Sequence, residues 1–174
     1  YRARRQRQMC IRDRLIAPQK YFDMYPIEDI QLANILENDK DDTFRNYDLN
    51  YKNLLIETEK KGSSPTHQQL TRRWIEMFEN LEKSYDDPEE GLKRFTQAYL
   101  ACVSAVDDNI GQVMNAIDNS RLKDNTIIIL VSDHGWTMGE KDHFYKNSLW
   151  EESTRVPMII RAPGVTKFKS KVTH

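Results

Sequence analysis

Residues 92 to 131 constrain the fold more than any other part of this 174-residue chain. Leu92, Phe95, Tyr99, Cys102, Val103, Val106, Ile110, Val113, Met114 and Ile117 recur at steps of three and four. That spacing places them on one stripe of a helix roughly 40 Å long at 1.5 Å per residue. Asp86-Asp87-Pro88 supplies its start, and Asn119, Ser120 and Asp124-Asn125 supply turn chemistry at its end. TIIILVS, from residue 126, then reads as a strand buried on both faces, the pattern of a parallel sheet. VPMIIRAPG gives a second short strand near 156 to 161, closed by Pro-Gly. A long helix packed on a strand, a charged loop and another strand form the grammar of an α/β domain.

Composition sets outer limits. The chain is 39% apolar and 30% charged, the mix of a globular protein, and its length suits one domain or part of one. A net charge of −1 from 26 basic and 27 acidic residues gives no global basic field for nucleic acid or an anionic membrane. Its apolar runs, such as Ile127 to Val131, are too short to span a bilayer. Cys10 and Cys102 make neither a disulfide framework nor a metal-binding CxxC pair.

The first fourteen residues, YRARRQRQMCIRDR, are a different text. Six arginines against one aspartate give +5, which leaves −6 for the other 160 residues. They contain no apolar run for a secretion signal and no periodicity, and MCIRDR resembles translated read-through of a sequencing adapter. Residues 1–14 are therefore set aside as a non-native segment, expected to make no packed contacts. The chain stops as abruptly after a Pro-Gly turn, so 15–174 reads as a partial domain. Within it, 15–65 is expected to be an extended, loop-rich linker with short helical turns. Residues 66–174 form the helix and strand core, entered through KGSSPTHQQL with Ser64 or Thr66 as cap and Trp74, Met77, Phe78 and Leu81 as the inner face of a first helix.

Chemistry gathers where the first strand runs out. Ligands in open α/β sheets bind beyond the carboxyl ends of strands, and Asp133-His134-Gly135 stands there. An aspartate oxygen and an imidazole nitrogen suit a cation, and Gly135 lets the backbone turn away. Alternatively, Asp133 caps the next turn and His134 fills space; the dipeptide alone leaves both readings open. Beyond it, GEKDHFYKNSLWEES carries Glu140, Lys141, Asp142, His143 and Lys146. Taken singly, these read as solvated charges, except Lys146, whose apolar followers Leu149 and Trp150 suggest a stem close to the packed body. A lysine beside a metal site suits a doubly charged tetrahedral anion and the charge developing on a leaving oxygen.

QAYLACVSAVDDNIGQVMNAID and NTIIILVSDHGWTMGEKDHFYKNSLWEESTRVPMIIRAPG together resemble the formylglycine-dependent sulfatases, in particular the iduronate-2-sulfatase-like branch with its SDHGWxxGE sequence. The resemblance is dense over residues 97 to 164, and APQKYFDMYPIEDIQLANILENDKDD is similar to the preceding linker of bacterial members. It implies the C-terminal part of an alkaline-phosphatase-like α/β catalytic domain. It also implies Asp133 and His134 as half of a divalent-cation site, usually calcium, and Lys146 as the lysine contacting the sulfate near the leaving oxygen. His143, in the same loop, is implied as a further substrate contact. The implied reaction is S–O cleavage of a sulfate ester, such as that of a sulfated sugar: hydrated formylglycine attacks sulfur, the alcohol leaves, and elimination of sulfate restores the aldehyde.

The CxPSR or SxPSR motif that becomes formylglycine is absent, since Cys10 precedes IRDR and Cys102 precedes VSAV. Asp41-Asp42 and Asp86-Asp87 lie in polar segments with no buried strand before them, so neither is assigned to the metal site. The 174 residues by themselves are expected to be inactive. The resemblance implies a sulfated small molecule or glycan as substrate and a periplasmic, secreted or lysosomal location, and the charge balance leads to the expectation of no nucleic acid partner. Two other readings stand beside it: a metal-dependent phosphodiesterase or phosphatase of the alkaline phosphatase superfamily, for which zinc would suit His134, and a non-catalytic remnant of the fold.

Overall fold

The computed structural model describes residues 15–39, 41, 67–146, 148–167 and 170, with side chains in the first helical turns of 67–73 left aside. The expectations for residues 1–14, Asp42, Ser64, Thr66 and Asn147 lie outside the described residues. The elements are α1 (Gln19–Phe22), a 3₁₀ turn (Ile27–Asp29), α2 (His67–Glu82), α3 (Pro88–Asp118), β1 (Ile128–Val131), β2 (Thr137–Met138), a 3₁₀ turn (Glu140–Asp142), β3 (Phe144–Tyr145), α4 (Glu151–Thr154) and β4 (Met158–Arg161). They fall into two compact units. Of the described residues, one joins those in 15–26, 97–133 and 156–170, and the other joins those in 27–96 and 134–155. No described helix is long and apolar enough to cross a membrane.

The long helix is one element of 31 residues. Its start follows from local chemistry. Asp87 Oδ1 accepts the Glu89 amide at 2.9 Å, Pro88 needs no partner for a missing N–H, and Glu89 and Glu90 sit at the positive end of the helix dipole. The same glutamates pair one turn on, with Lys93 at 2.7 Å and Arg94 at 2.6 Å. At the other end, the Asn119 and Ser120 amides reach back to Asn115 and Ile117 carbonyls, and Ser120 Oγ accepts the Leu122 amide at 3.1 Å.

In the first unit, small residues on α3 let α1 approach. Tyr21, Ala101 and Ala105 form a buried cluster with Ala17 and Phe22 against it. Tyr21 Oη donates to Asp108 at 2.6 Å, Tyr25 Oη pairs with Ser104 Oγ at 2.7 Å, and Gln97 Nε2 donates to the Tyr25 carbonyl at 2.7 Å. The start of the expected linker is thus pinned to the helix.

Both strands lie close to where they are expected, but their surroundings differ. β1 pairs antiparallel with β4, from Ile128 opposite Arg161 to Val131 opposite Met158, so the parallel pairing inferred from apolarity is corrected. Ile129, Leu130 and Val131 are exposed, correcting the expectation of burial on both faces. The reason is coverage: among the described residues, β1 has β4 as its single strand neighbour, and two strands cannot enclose their own side chains. The α3 stripe faces this pair across an apolar groove of about 440 Å³ lined by Val106, Ile110, Val113 and Ile117. Arg161 closes one end on Asp118 at 2.6 Å.

The second unit is held by aromatic rings. Phe144, the most buried large side chain, stacks on Phe95 at 4.2 Å and meets the edge of Phe78 at 5.2 Å. Tyr145 lies against Trp74 at 4.5 Å and Trp136 at 4.7 Å. Offset and edge-on rings at these distances add directional attraction to the area they bury. β2 and β3 pair antiparallel, Thr137 opposite Tyr145 and Met138 opposite Phe144, and so form a two-rung hairpin clamped on α2.

Candidate active site

The chain leaves β1 at Ser132-Asp133 and enters the second unit at His134. Asp133 is exposed at the end of the strand. From His134 onward the backbone is fixed by α4: the Gly135 amide donates to Ser153 O at 2.8 Å, and the Trp136 amide donates to Glu152 O at 2.7 Å. A Cβ on Gly135 would lie 1.9 Å from Glu152 O and 3.0 Å from Arg155 O. Glycine is required here for close backbone approach, rather than for a left-handed turn.

His134 is partly buried, and its Nδ1 lies 2.7 Å from Gly135 O. A carbonyl only accepts, so Nδ1 carries the proton and Nε2 of the neutral ring presents its lone pair. Lys146 Nζ donates to that lone pair at 2.9 Å. The structure therefore brings two of the four sequence-predicted residues into direct contact across twelve positions of chain.

The hairpin sets where Lys146 emerges. It follows Tyr145, whose φ is 73°, and the turn before it contains Lys141 at φ 59° and Asp142 at φ 51°. Left-handed geometry at residues other than glycine costs roughly 1–3 kcal/mol each, and persists only where the surroundings enforce it. Gly139, at φ 120°, is the position in this turn that glycine relieves; its Cβ would also meet Ile35 and Phe78 at 3.0 and 3.1 Å. The apolar residues after Lys146 do not provide the packed base expected of them, because Leu149 is 92% exposed. Tyr145 and Phe144, before the lysine, provide it instead.

His143 is placed inside the hairpin at 5% exposure, its Nδ1 3.1 Å from Thr137 Oγ1. Thr137 donates its hydroxyl to Tyr145 O at 2.7 Å, so its oxygen accepts the His143 Nδ1–H. The imidazole thus ties the residue before β3 to Thr137 of β2.

Two loop charges read as solvated are corrected. Glu140 accepts the Met138 amide within the turn. Lys141 is paired with Asp39: Nζ reaches Asp39 Oδ1 at 3.0 Å, the Lys141 amide reaches Oδ2 at 2.8 Å, and both side chains are less than one-fifth exposed. Lys141 Nζ also lies 4.9 Å from the Trp150 ring centre. The Lys141 amide and ammonium hold the Asp39 carboxyl below the ordinary carboxylate range. Nothing in the local sequence signals a partner 102 positions away.

A carboxylate oxygen and an imidazole nitrogen are donor types that divalent cations accept. Asp133 offers an exposed carboxylate, and His134 has the tautomer that metal-ligating histidines use, its second nitrogen fixed on a carbonyl. The described residues hold no group of three or more His, Cys, Asp or Glu side chains arranged for a metal. Cys102, buried on α3, has its thiol pushed upward by burial, the opposite of what activates a nucleophile.

Comparison with known proteins follows the same lines. The sulfatase family model matches residues 45–173. A protein from Formosa agariphila named sulfatase is 36% identical over 155 residues, which is 89% of this chain and 26% of that protein. Iduronate 2-sulfatase of Mus musculus is 43% identical over 79 residues, covering 45% of this chain and 14% of its own length. Among solved structures, a phosphonate monoester hydrolase from Silicibacter pomeroyi superposes with a TM-score of 0.58 at 25% identity, over 86% of this chain and 26% of that one. This chain spans about a quarter or less of the length of each of these proteins.

Proposed function

The chain belongs to the sulfatase family, and on that premise we propose that it forms part of the active site of a sulfuric ester hydrolase. The observation that carries the reading is the 2.9 Å contact of Lys146 Nζ with His134 Nε2, in the loop that follows a strand end. The contact sets an ammonium beside an imidazole nitrogen; with a cation on that nitrogen and Lys146 released from it, the two would flank a tetrahedral anion such as a sulfate ester, whose charge grows as its S–O bond breaks.

In this reading Asp133 and His134 are ligands of a divalent cation, most simply calcium, which withdraws charge from the sulfate oxygens. Calcium prefers oxygen donors in greater number than these two residues supply, so the site draws further ligands from outside 15–174. Formylglycine, also from outside these residues, supplies the nucleophile. Lys146 donates an N–H hydrogen bond to the leaving oxygen and stabilises the charge that grows there. His143 is buried in the hairpin from which Lys146 projects, and its role there is to hold that hairpin in place.

We take the substrate to be a sulfated small molecule or glycan, because relatives over this segment include one named for iduronate. A periplasmic, secreted or lysosomal location is expected with it, and cell fractionation would check this. The likeness to a phosphonate monoester hydrolase favours one second reading, hydrolysis of a phosphonate or phosphate diester at the same cation. Turnover of 4-nitrophenyl sulfate against phenyl 4-nitrophenyl phosphonate by the full-length protein separates them. A preference for the sulfate ester supports the first reading, and a preference for the phosphonate overturns it.

A further inference from the structure

We propose that Asp39 is a positioning residue for Lys146: by gripping Lys141 from both its backbone and its side chain, it fixes the strained hairpin that aims the Lys146 ammonium at the reacting group. The inference rests on the sulfatase reading for what Lys146 does, and on geometry of its own for how Lys146 is held.

Asp39 makes three contacts with one residue. Its Oδ2 accepts the Lys141 amide at 2.8 Å, its Oδ1 lies 3.0 Å from Lys141 Nζ, and its main-chain carbonyl accepts the same ammonium. Asp39 is itself set by a turn, its amide donating to Leu36 O at 3.0 Å. Lys141 lies at the tip of the hairpin in left-handed geometry, and Asp142 and Tyr145 share that geometry. A two-rung hairpin has too few ladder bonds to enforce three such residues, and beyond the packing of α2 against it a directional grip is needed at the tip. The Asp39 carboxylate supplies it, and the Lys141 ammonium over Trp150 extends the grip toward α4. Movement at the tip is carried along β3 to Lys146, the next residue after Tyr145.

Positioning and bulk folding differ in what they do to the reaction. Lys146 neutralises charge on the leaving oxygen, and that help matters more as the leaving alcohol becomes more basic. A misaimed Lys146 therefore slows alkyl sulfates more than nitrophenyl sulfates, whereas a smaller folded fraction slows all of them equally.

The test uses the full-length protein and sulfate esters whose leaving groups range from nitrophenols to an alkyl alcohol, with wild type, Lys146→Ala, Asp39→Ala, Asp39→Asn and Lys141→Met. Asp39→Ala should lower kcat about tenfold to a hundredfold on the alkyl ester with KM within about threefold, the scale of an ångström-sized misplacement. The loss should shrink on nitrophenyl esters, in the pattern of Lys146→Ala. Asp39→Asn, which keeps an acceptor for the Lys141 amide, should fall between, and Lys141→Met should resemble Asp39→Ala. Amides 139–145 should exchange faster in Asp39→Ala than in wild type. If Lys146→Ala shows no leaving-group dependence, the role given to Lys146 fails. If Lys146→Ala shows it and Asp39→Ala loses rate equally on all esters, or not at all, the positioning role fails alone. Should Asp39→Ala not fold, Asp39→Asn and Lys141→Met carry the same comparison with the same outcomes.

Discussion

Lys146 Nζ donates to His134 Nε2 at 2.9 Å, placing an ammonium on the one imidazole nitrogen that carries a lone pair. A cation bound at Nε2 would take that lone pair and turn Lys146 outward toward an anion. In the proposed site a divalent cation would thus compete with Lys146 for one nitrogen, and His134→Ala should remove that competition along with a ligand. Titration of the full-length protein with calcium should show tight binding in wild type, weakened at least tenfold in both His134→Ala and Asp133→Ala. Unchanged affinity in both variants would remove the strand end from the metal site.

Gly135 and Gly111 should respond oppositely to alanine. At Gly135 a methyl group meets the Glu152 carbonyl oxygen at 1.9 Å, where backbone must shift, so Gly135→Ala should cost about 2–4 kcal/mol. Gly111 lies within α3 with nothing within 4 Å of its Cβ position, so Gly111→Ala should stabilise by about 0.5–1 kcal/mol. Urea unfolding followed by tryptophan fluorescence reads both.

Phe144→Ala should be the costliest single truncation in the second unit, about 3–5 kcal/mol, because Phe144 is 1% exposed and touches rings from α2 and α3. Chemical denaturation gives the value. A cost below about 1 kcal/mol would mean the aromatic cluster is not packed as described.

How much of this was legible in the sequence varied with the range of the interaction responsible. The α3 helix was read from Leu92 to Ile117 because its period, its Asp-Pro start and its Asn-Ser end are all local. The two strands were legible as apolar runs, but not their direction, since an antiparallel β1–β4 pair depends on a partner 27 or more residues away. β2 and β3 are two residues each and have no readable period. Gly135 was visible as a small residue, while its reason, the approach of the Glu152 carbonyl, lies in tertiary structure. Asp39 and Lys141 looked like ordinary loop charges because charge alone does not reveal a distant partner. Asp133 and His134 stood out by their types at a strand end and Lys146 by its loop, while the roles proposed for them come from the resemblance to the sulfatases.

Acid should loosen the hairpin through Asp39. The Lys141 amide and ammonium depress its folded pKa below the unfolded value, which is near 4. Such a group stabilises the fold fully above the unfolded pKa and loses that contribution as pH falls through the folded one. Asp118, lowered by Arg161, acts with the same sign. Asp39→Asn should therefore be less stable than wild type at pH 7, with the gap closing below about pH 4. Stability measured at several pH values from 2 to 7 checks the direction.

The most direct test of the account is the steady-state rate at which the full-length protein hydrolyses 4-nitrophenyl sulfate, measured for wild type and Lys146→Ala. Wild type should turn over, kcat/KM should fall by about 10²–10³ in the variant, and the isolated 174 residues, which contain no CxPSR or SxPSR motif, should show no turnover. A folded full-length protein without sulfate ester hydrolysis, or a Lys146→Ala variant within about threefold of wild type, would contradict it.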